Sequence, residues 1–205
     1  MSPKPPPSAF QNFYYHVFGD TRYYYYGGIP ESVCTRLEGL DRQKAEQLVL
    51  RAIKRIRVDE RSIKAAGYLR LQAAAPILEK KLVAKLWKPR PRIRSIIIWA
   101  IFKINDDKKQ RDNLIDFVNN GSNKEDLTRV DAADLLSDFG KEPVAVECLC
   151  RALLDDDRRV ADAANFALRK IFQDDSYLLN FLHGSSRPLY ERRSAVVQIK
   201  RQMSM

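Results

Sequence analysis

With 205 residues, 45% of them hydrophobic, and a mean hydropathy of -0.41, the chain is long enough for one packed domain or a short stack of repeats, and too apolar for a disordered polymer. Its greasiest stretch, Ile96 to Ile104, is closed by Arg94 and Asn105 and falls short of the roughly 18 apolar residues of a membrane span, so a soluble protein with no membrane partner is expected. The formal charge of +10 directs attention to anionic partners.

Residues 1–9 are Pro-rich, with a single cation and no apolar stretch behind it. They read as a disordered or extended arm without a secretion signal, which leads us to expect a cytoplasmic protein. Aromatic side chains then crowd residues 10 to 26: Phe10, Phe13, Tyr14, Tyr15, Phe18, Tyr23, Tyr24, Tyr25 and Tyr26. Rings at this density suit a cap over residues 10–40 that lids the first open face of a helical stack, because a stack needs its end covered. The alternative is a contact surface, in which Tyr23 to Tyr26 would touch a partner at low entropic cost. Gly27-Gly28 before Ile29-Pro30 reads as a turn into the first helix of the body.

From residue 41 to 205 a pair of small or aliphatic residues recurs: Ala65-Ala66, Ile96-Ile97, Ala132-Ala133, Ala163-Ala164 and Ser194-Ala195. One marker in each, at 65, 97, 132, 163 and 195, gives intervals of 32, 35, 31 and 32 residues, the spacing of a repeat protein. The phrases from Arg61 to Leu69, Arg129 to Leu136 and Asp157 to Leu168 share apolar spacing of three and four, and Asp59, Asp126 and Asp156 stand where helix caps are needed. Each phrase is followed by a second amphipathic run, Ala75 to Leu86, Arg111 to Val118, Val144 to Leu154 and Ser176 to Leu182. Pro76 and Pro143 suit the first turn of such a helix, and Gly140 suits a C-terminal cap. Strand-like alternation is absent apart from the Tyr23–Tyr26 run, so the body is predicted to be all α.

Antiparallel helix pairs of about 32 residues resemble HEAT-type repeats, specifically the short variety first associated with phycobilin lyases. The resemblance covers about residues 41 to 200, with Asp155 to Ile171 the clearest phrase. It implies a right-handed α-solenoid of about five to six antiparallel helical hairpins, a HEAT-like superhelix. It implies little about function, because the family spans lyases, hydroxylases, DNA glycosylases and plain scaffolds.

Catalytic constellations are missing. No Gly-rich phosphate loop occurs, and no His-Glu pair, the metal-ligand dipeptide of the HEAT-repeat diiron hydroxylases. Cys34, Cys148 and Cys150 cannot all pair, and the last two fall on different faces of one helix, so buried free thiols are expected. With no CxxC, and with His16 and His183 far from any cysteine pair, zinc is not expected. Asp106-Asp107, Asp155-Asp156-Asp157 and Asp174-Asp175 read as caps and solvated loops. We assign no catalytic residue, metal or cofactor and expect no enzyme.

Charge, in contrast, is strongly patterned. Residues 51 to 94 hold 14 Lys/Arg against 3 Asp/Glu, a local net of +11, whereas residues 106 to 184 hold 11 against 17, a net of -6. Arg51, Lys54, Arg55 and Arg57 form one cluster. Lys81, Lys85 and Lys88, spaced by four and three with Lys80 beside them, form a predicted helical stripe that Arg90, Arg92 and Arg94 continue, with Trp87 among them. The resemblance implies that second helices line a concave face, which would make these clusters neighbours.

The expected function is therefore a scaffold, monomeric, that holds a protein with an acidic surface against residues 51 to 94. One concrete form is a bacterial toxin-immunity protein. The alternative is nucleic-acid binding in the manner of the HEAT-like alkylpurine DNA glycosylases, with Trp87 as a stacking group; the acidic half argues against a continuous basic groove. A lyase or other modifying enzyme on this fold would need convergent His, Cys or paired acids that the sequence does not display.

Overall fold

The computed structural model describes residues 7–19, 29–84, 90–121, 128–173 and 188–204. Among these residues there is no strand, and eleven α-helices account for the regular structure: α1 Ala9–Phe18, α2 Glu31–Thr35, α3 Gly39–Lys54, α4 Glu60–Tyr68, α5 Ala75–Val83, α6 Pro91–Asn105, α7 Lys109–Asn120, α8 Thr128–Leu136, α9 Pro143–Ala152, α10 Arg158–Ile171 and α11 Leu189–Met203. The all-α expectation holds for them. No described helix is long and apolar enough to cross a membrane.

Local chemistry sets the boundaries. Ser8 opens α1 with a capping box, its hydroxyl accepting from the Gln11 amide at 3.1 Å while the Gln11 side chain accepts from the Ser8 amide at 2.9 Å. Asp59 caps α4, accepting from the Ser62 amide and hydroxyl. Pro76 and Pro143 occupy the first turns of α5 and α9, and Gly140 takes a φ of +62° behind the 3-10 turn Ser137–Phe139. Two details differ from expectation. The cap of α10 is Asp157, accepting from the Arg159 amide, and not Asp156. Helix α5 stops at Val83, where Ala84 turns extended, three residues before the end that apolar spacing predicts. Asp126, Gly27-Gly28 and the Ser176–Leu182 run lie outside the described residues.

The chain divides into two compact units, Met1–Pro89 with Trp99–Asp107, and Arg90–Ile98 with Lys108–Met205. The boundary falls within the residues of α6, at Ile98/Trp99.

In the first unit α1 packs on α2, α3 and α4, and α3 packs on α4 and α5. Helix directions follow from end-to-end hydrogen bonds. Arg42, at the start of α3, donates to the Leu69 carbonyl at the end of α4, so the two run antiparallel. Lys81, at the end of α5, donates to the Arg55 carbonyl at the end of α3, so those two run parallel. The core gathers Phe13, Ile53, Ile63, Leu69, Leu78 and Trp99, each at most 1% exposed, every one of which contributes roughly 1.5–3 kcal/mol by leaving water. Gly67 admits the Trp99 ring: a Cβ there would lie 2.8 Å from Cζ3.

In the second unit α8 packs on α7, α9 and α10, and α9 on α7 and α10. Arg111 at the start of α7 pairs with Glu142 at the start of α9, and Lys170 at the end of α10 reaches Asp138 just beyond α8 at 2.7 Å. Thus α7 runs parallel to α9 and α8 parallel to α10, in two layers of opposed direction. Arg192, near the start of α11, donates to the Leu153 carbonyl beyond the end of α9, and Lys200 meets Glu147 on the N-terminal half of α9, so α11 is antiparallel to it. The recurring small residues face inward: Ala65, Ala66, Ile97, Ala132, Ala133 and Ala164 are 0% exposed and Ala195 is 1% exposed. In α10 the inward residue is Ala164, with Ala163 half-exposed.

Candidate functional site

Helix α3 turns Val49, Ala52 and Ile53 into the core, which leaves Arg51 and Lys54 on the outside of its last turn. Arg55 then goes extended and ends the helix, and the chain does not return to the interior until Val58, which is 7% exposed. Lys54, Arg55, Ile56 and Arg57 between these anchors are all exposed. Onto this bridge comes the last turn of α5. The Lys81 ammonium donates to the Arg55 carbonyl at 2.6 Å and to the Ile56 carbonyl at 3.4 Å, and burial lowers its pKa. Its partners are the carbonyls that a helix end leaves unsatisfied, so Lys81 serves as a cross-helix cap.

The end of α5 is thereby joined to a cationic stretch at the end of α3. Arg51, Lys54, Arg55, Arg57 and Lys80 are exposed, and none of the five forms an ion pair among the described residues. Ile56 and Val83, at 78% and 81%, are the most exposed of the large apolar side chains described. The sequence pointed to the cations of both clusters, and Lys81 of the second meets the backbone of Arg55 and Ile56 in the first. The sequence did not point to the two aliphatic residues, which lie off any periodic stripe and become legible only once the ends of α3 and α5 are fixed.

The rest of the predicted stripe is distributed differently. Lys85, Trp87, Lys88 and Tyr23, Tyr24, Tyr25 and Tyr26 lie outside the described residues. Arg90 and Arg94 are exposed in the second unit, whereas Arg92 pairs with Asp131 at 2.7 Å, so its charge is matched. Of the α1 aromatics, Phe13 is 0% exposed, while Tyr14 and Tyr15 are about half out, at 49% and 46%.

A second arginine set escaped notice in the sequence. Arg61 donates to the Gly19 carbonyl behind α1 at 3.0 Å. Arg129 donates to the Val118 carbonyl near the end of α7 at 2.7 Å and pairs with Asp155. Arg192 reaches the Leu153 carbonyl at 3.0 Å and the Asp155 carbonyl at 3.3 Å. Each stands three or four residues before a buried small marker, and each ties the carbonyl end of one helix to the start of another. That repeated offset was the available signal.

Between α8 and α10 a hollow of about 490 Å³ is lined by Asp131, Asp134, Asp162 and Phe166 among others. Arg92 matches Asp131, and Arg158 stands 3.9 Å from Asp162, an arrangement of charge pairs and not of a proton-sharing dyad. Cys34, Cys148 and Cys150 are buried free thiols whose acidity burial suppresses, with pKa values pushed up to about 12, 11 and 12. Among the described residues no group of three or more His, Cys, Asp or Glu converges as metal ligands would.

No protein-family model, no curated protein and no solved structure matches the chain.

Proposed function

We propose that the chain is a non-enzymatic binding scaffold, a HEAT-like right-handed stack of about five to six helical hairpins, that holds a protein partner with an acidic surface at the edge formed by α3 and α5. The observation that carries this is the run of exposed cations without ion pairs, Arg51, Lys54, Arg55 and Arg57, at the end of α3, to which Lys81 fastens the last turn of α5 beside exposed Lys80 and Glu79. Cations close in sequence and without ion pairs leave a local positive field from which an anionic partner gains. The alternating helix directions within each unit and the inward small residues at a spacing near 32 support the hairpin stack. A toxin-immunity protein, which occludes the active site of an enzyme with a small helical body, is one concrete form.

Capture from the host with the native chain and with the Arg51→Glu, Arg55→Glu, Lys80→Glu variant tests the proposal. The native chain should retain a protein with an acidic surface, release it at about 0.5 M salt, where the screening length drops to a few ångströms, and lose it on charge reversal. Equal retention of the same protein by the reversed variant would overturn it.

A further inference from the structure

Helix α10 sorts its residues sharply between core and solvent. Val160, Ala161, Ala164, Ala167 and Leu168 are buried, whereas Arg159, Asp162, Arg169 and Lys170 are exposed. Phe166 breaks this sorting: it stands on the charged side with 62% of its surface in water, more than any other phenylalanine described. Asp162, one turn before it, and Arg169, one turn after it, lie within about 60° of it around the helix. The ring also separates two recesses. One, the hollow of about 490 Å³ toward α8, is lined by three aspartates and Arg159; the other, of about 420 Å³, is lined by Arg169, Lys170 and Gln173.

These charges are only partly used within the chain. Lys170 is engaged by Asp138, but Arg169 forms no ion pair among the described residues. Asp162 has Arg158 at 3.9 Å, with the side chains 52% and 70% exposed, a contact of little worth in water. A surface that is acidic on one side of an apolar centre and basic on the other matches itself when turned through 180°. Because Asp162 stands four residues before Phe166 and Arg169 three after, a second α10 laid antiparallel across the first sets Asp162 of each copy beside Arg169 of the other. Half-exposed Ala163, on the wall of the hollow, leaves room there for the second ring. A foreign partner would have to reproduce this order of charges, whereas a second copy supplies it by symmetry. The helix also belongs to residues 106–184, whose net charge is -6, so the copies do not meet through the +11 stretch.

We infer that the exposed face of α10 is a self-association surface, on which a second copy of the chain packs about a twofold axis, with the two Phe166 rings covering each other and Asp162 and Arg169 paired twice across the axis. This stands apart from the acidic-partner reading above.

Sedimentation equilibrium of the full chain, over a concentration series up to about 1 mM, the weak end of specific association, tests it. The native chain should approach twice the 23.7 kDa of one copy and dissociate on dilution, since a single helix pair is a small interface. Phe166→Ser should weaken the dimer at least tenfold. Asp162→Arg and Arg169→Asp should each do the same, because each sets like charges opposite one another. An equimolar mixture of those two variants should dimerise again, since every pair across the axis then joins an arginine to an aspartate. All three positions are exposed, and unchanged circular dichroism and melting temperature would verify the fold of each variant. A native chain that stays monomeric, a dimer that Phe166→Ser leaves intact, or a mixture that remains monomeric would each overturn the inference. The Arg51→Glu, Arg55→Glu, Lys80→Glu variant should dimerise as the native chain does, which keeps this test separate from that of the acidic partner; loss of the dimer in that variant would overturn the assignment to α10.

Discussion

At Gly67 two helices approach more closely than any side chain permits. A methyl group there would meet Trp99 Cζ3 at 2.8 Å and the Ala100 Cα at 3.3 Å, and Trp99 is fully buried. Gly67→Ala should therefore destabilise the fold by about 1–3 kcal/mol, read from the urea midpoint. Three residues on, the sign reverses. Arg70 closes the same helix end with a φ of +49°, its amide donating to the Gly67 carbonyl while Leu71 donates to Ala66, a conformation that favours glycine. Arg70→Gly should stabilise by a few tenths to about 1 kcal/mol. The thiols give a third check at this scale: Cys34, Cys148 and Cys150 should stay silent toward Ellman's reagent in the native protein, and all three should react in denaturant. Burial lowers the pKa of His16 below its usual 6.5, so the unfolded chain binds the proton more readily than the folded one. Stability should consequently be full above pH 6.5 and decline as pH falls below it, and His16→Gln should flatten that decline in a pH series of thermal melts.

Among the elements, the starts of α4, α5 and α9 were legible because capping is local chemistry. Asp59, Pro76, Pro143 and Gly140 all act where the sequence placed them. What the sequence could not display is anything decided between elements. The early end of α5 at Val83 is one case, since apolar spacing runs on to Leu86 with nothing local to stop it. The division of labour among the basic residues is another. Lys81 and Arg92 look like their neighbours in the sequence, yet one caps α3 and the other pairs with Asp131, because tertiary contact selects them. The arginines that tie helix ends belong to the same class. Arg129 couples α8 to the end of α7 and to Asp155, and both partners of that ion pair are only 20% exposed. Arg129→Met should cost about 1–3 kcal/mol by leaving a half-buried carboxylate and a carbonyl without their donor, whereas Arg57→Met, at an exposed position with no ion pair among the described residues, should change stability by less than about 0.5 kcal/mol. Urea unfolding of the two variants side by side separates a structural arginine from one available to a partner.

For the molecule as a whole, the net charge of +10 conceals a local excess of +11 in residues 51–94 against -6 in residues 106–184, and the structure sharpens where that excess is free to act. In the second unit the acids and bases that face the α8–α10 hollow are largely matched to each other. In the first unit Arg51, Lys54, Arg55 and Arg57 at the end of α3 and Lys80 in α5 are exposed and form no ion pair among the described residues, with Glu79 as the exposed acid beside Lys80. On the proposed reading, an acidic partner drawn by charge meets the first unit at the end of α3. Site-specific photo-crosslinking in the host places that claim under the most direct strain, with the photoreactive group at Ile56 and, for comparison, at Leu40 at the opposite end of α3 and at Phe166 of the second unit, which are 72% and 62% exposed. One discrete crosslinked protein other than the chain itself is expected from Ile56 alone, abolished when Arg51, Arg55 and Lys80 are reversed to Glu. The same crosslinked protein from Phe166 or Leu40, with none from Ile56, would contradict it.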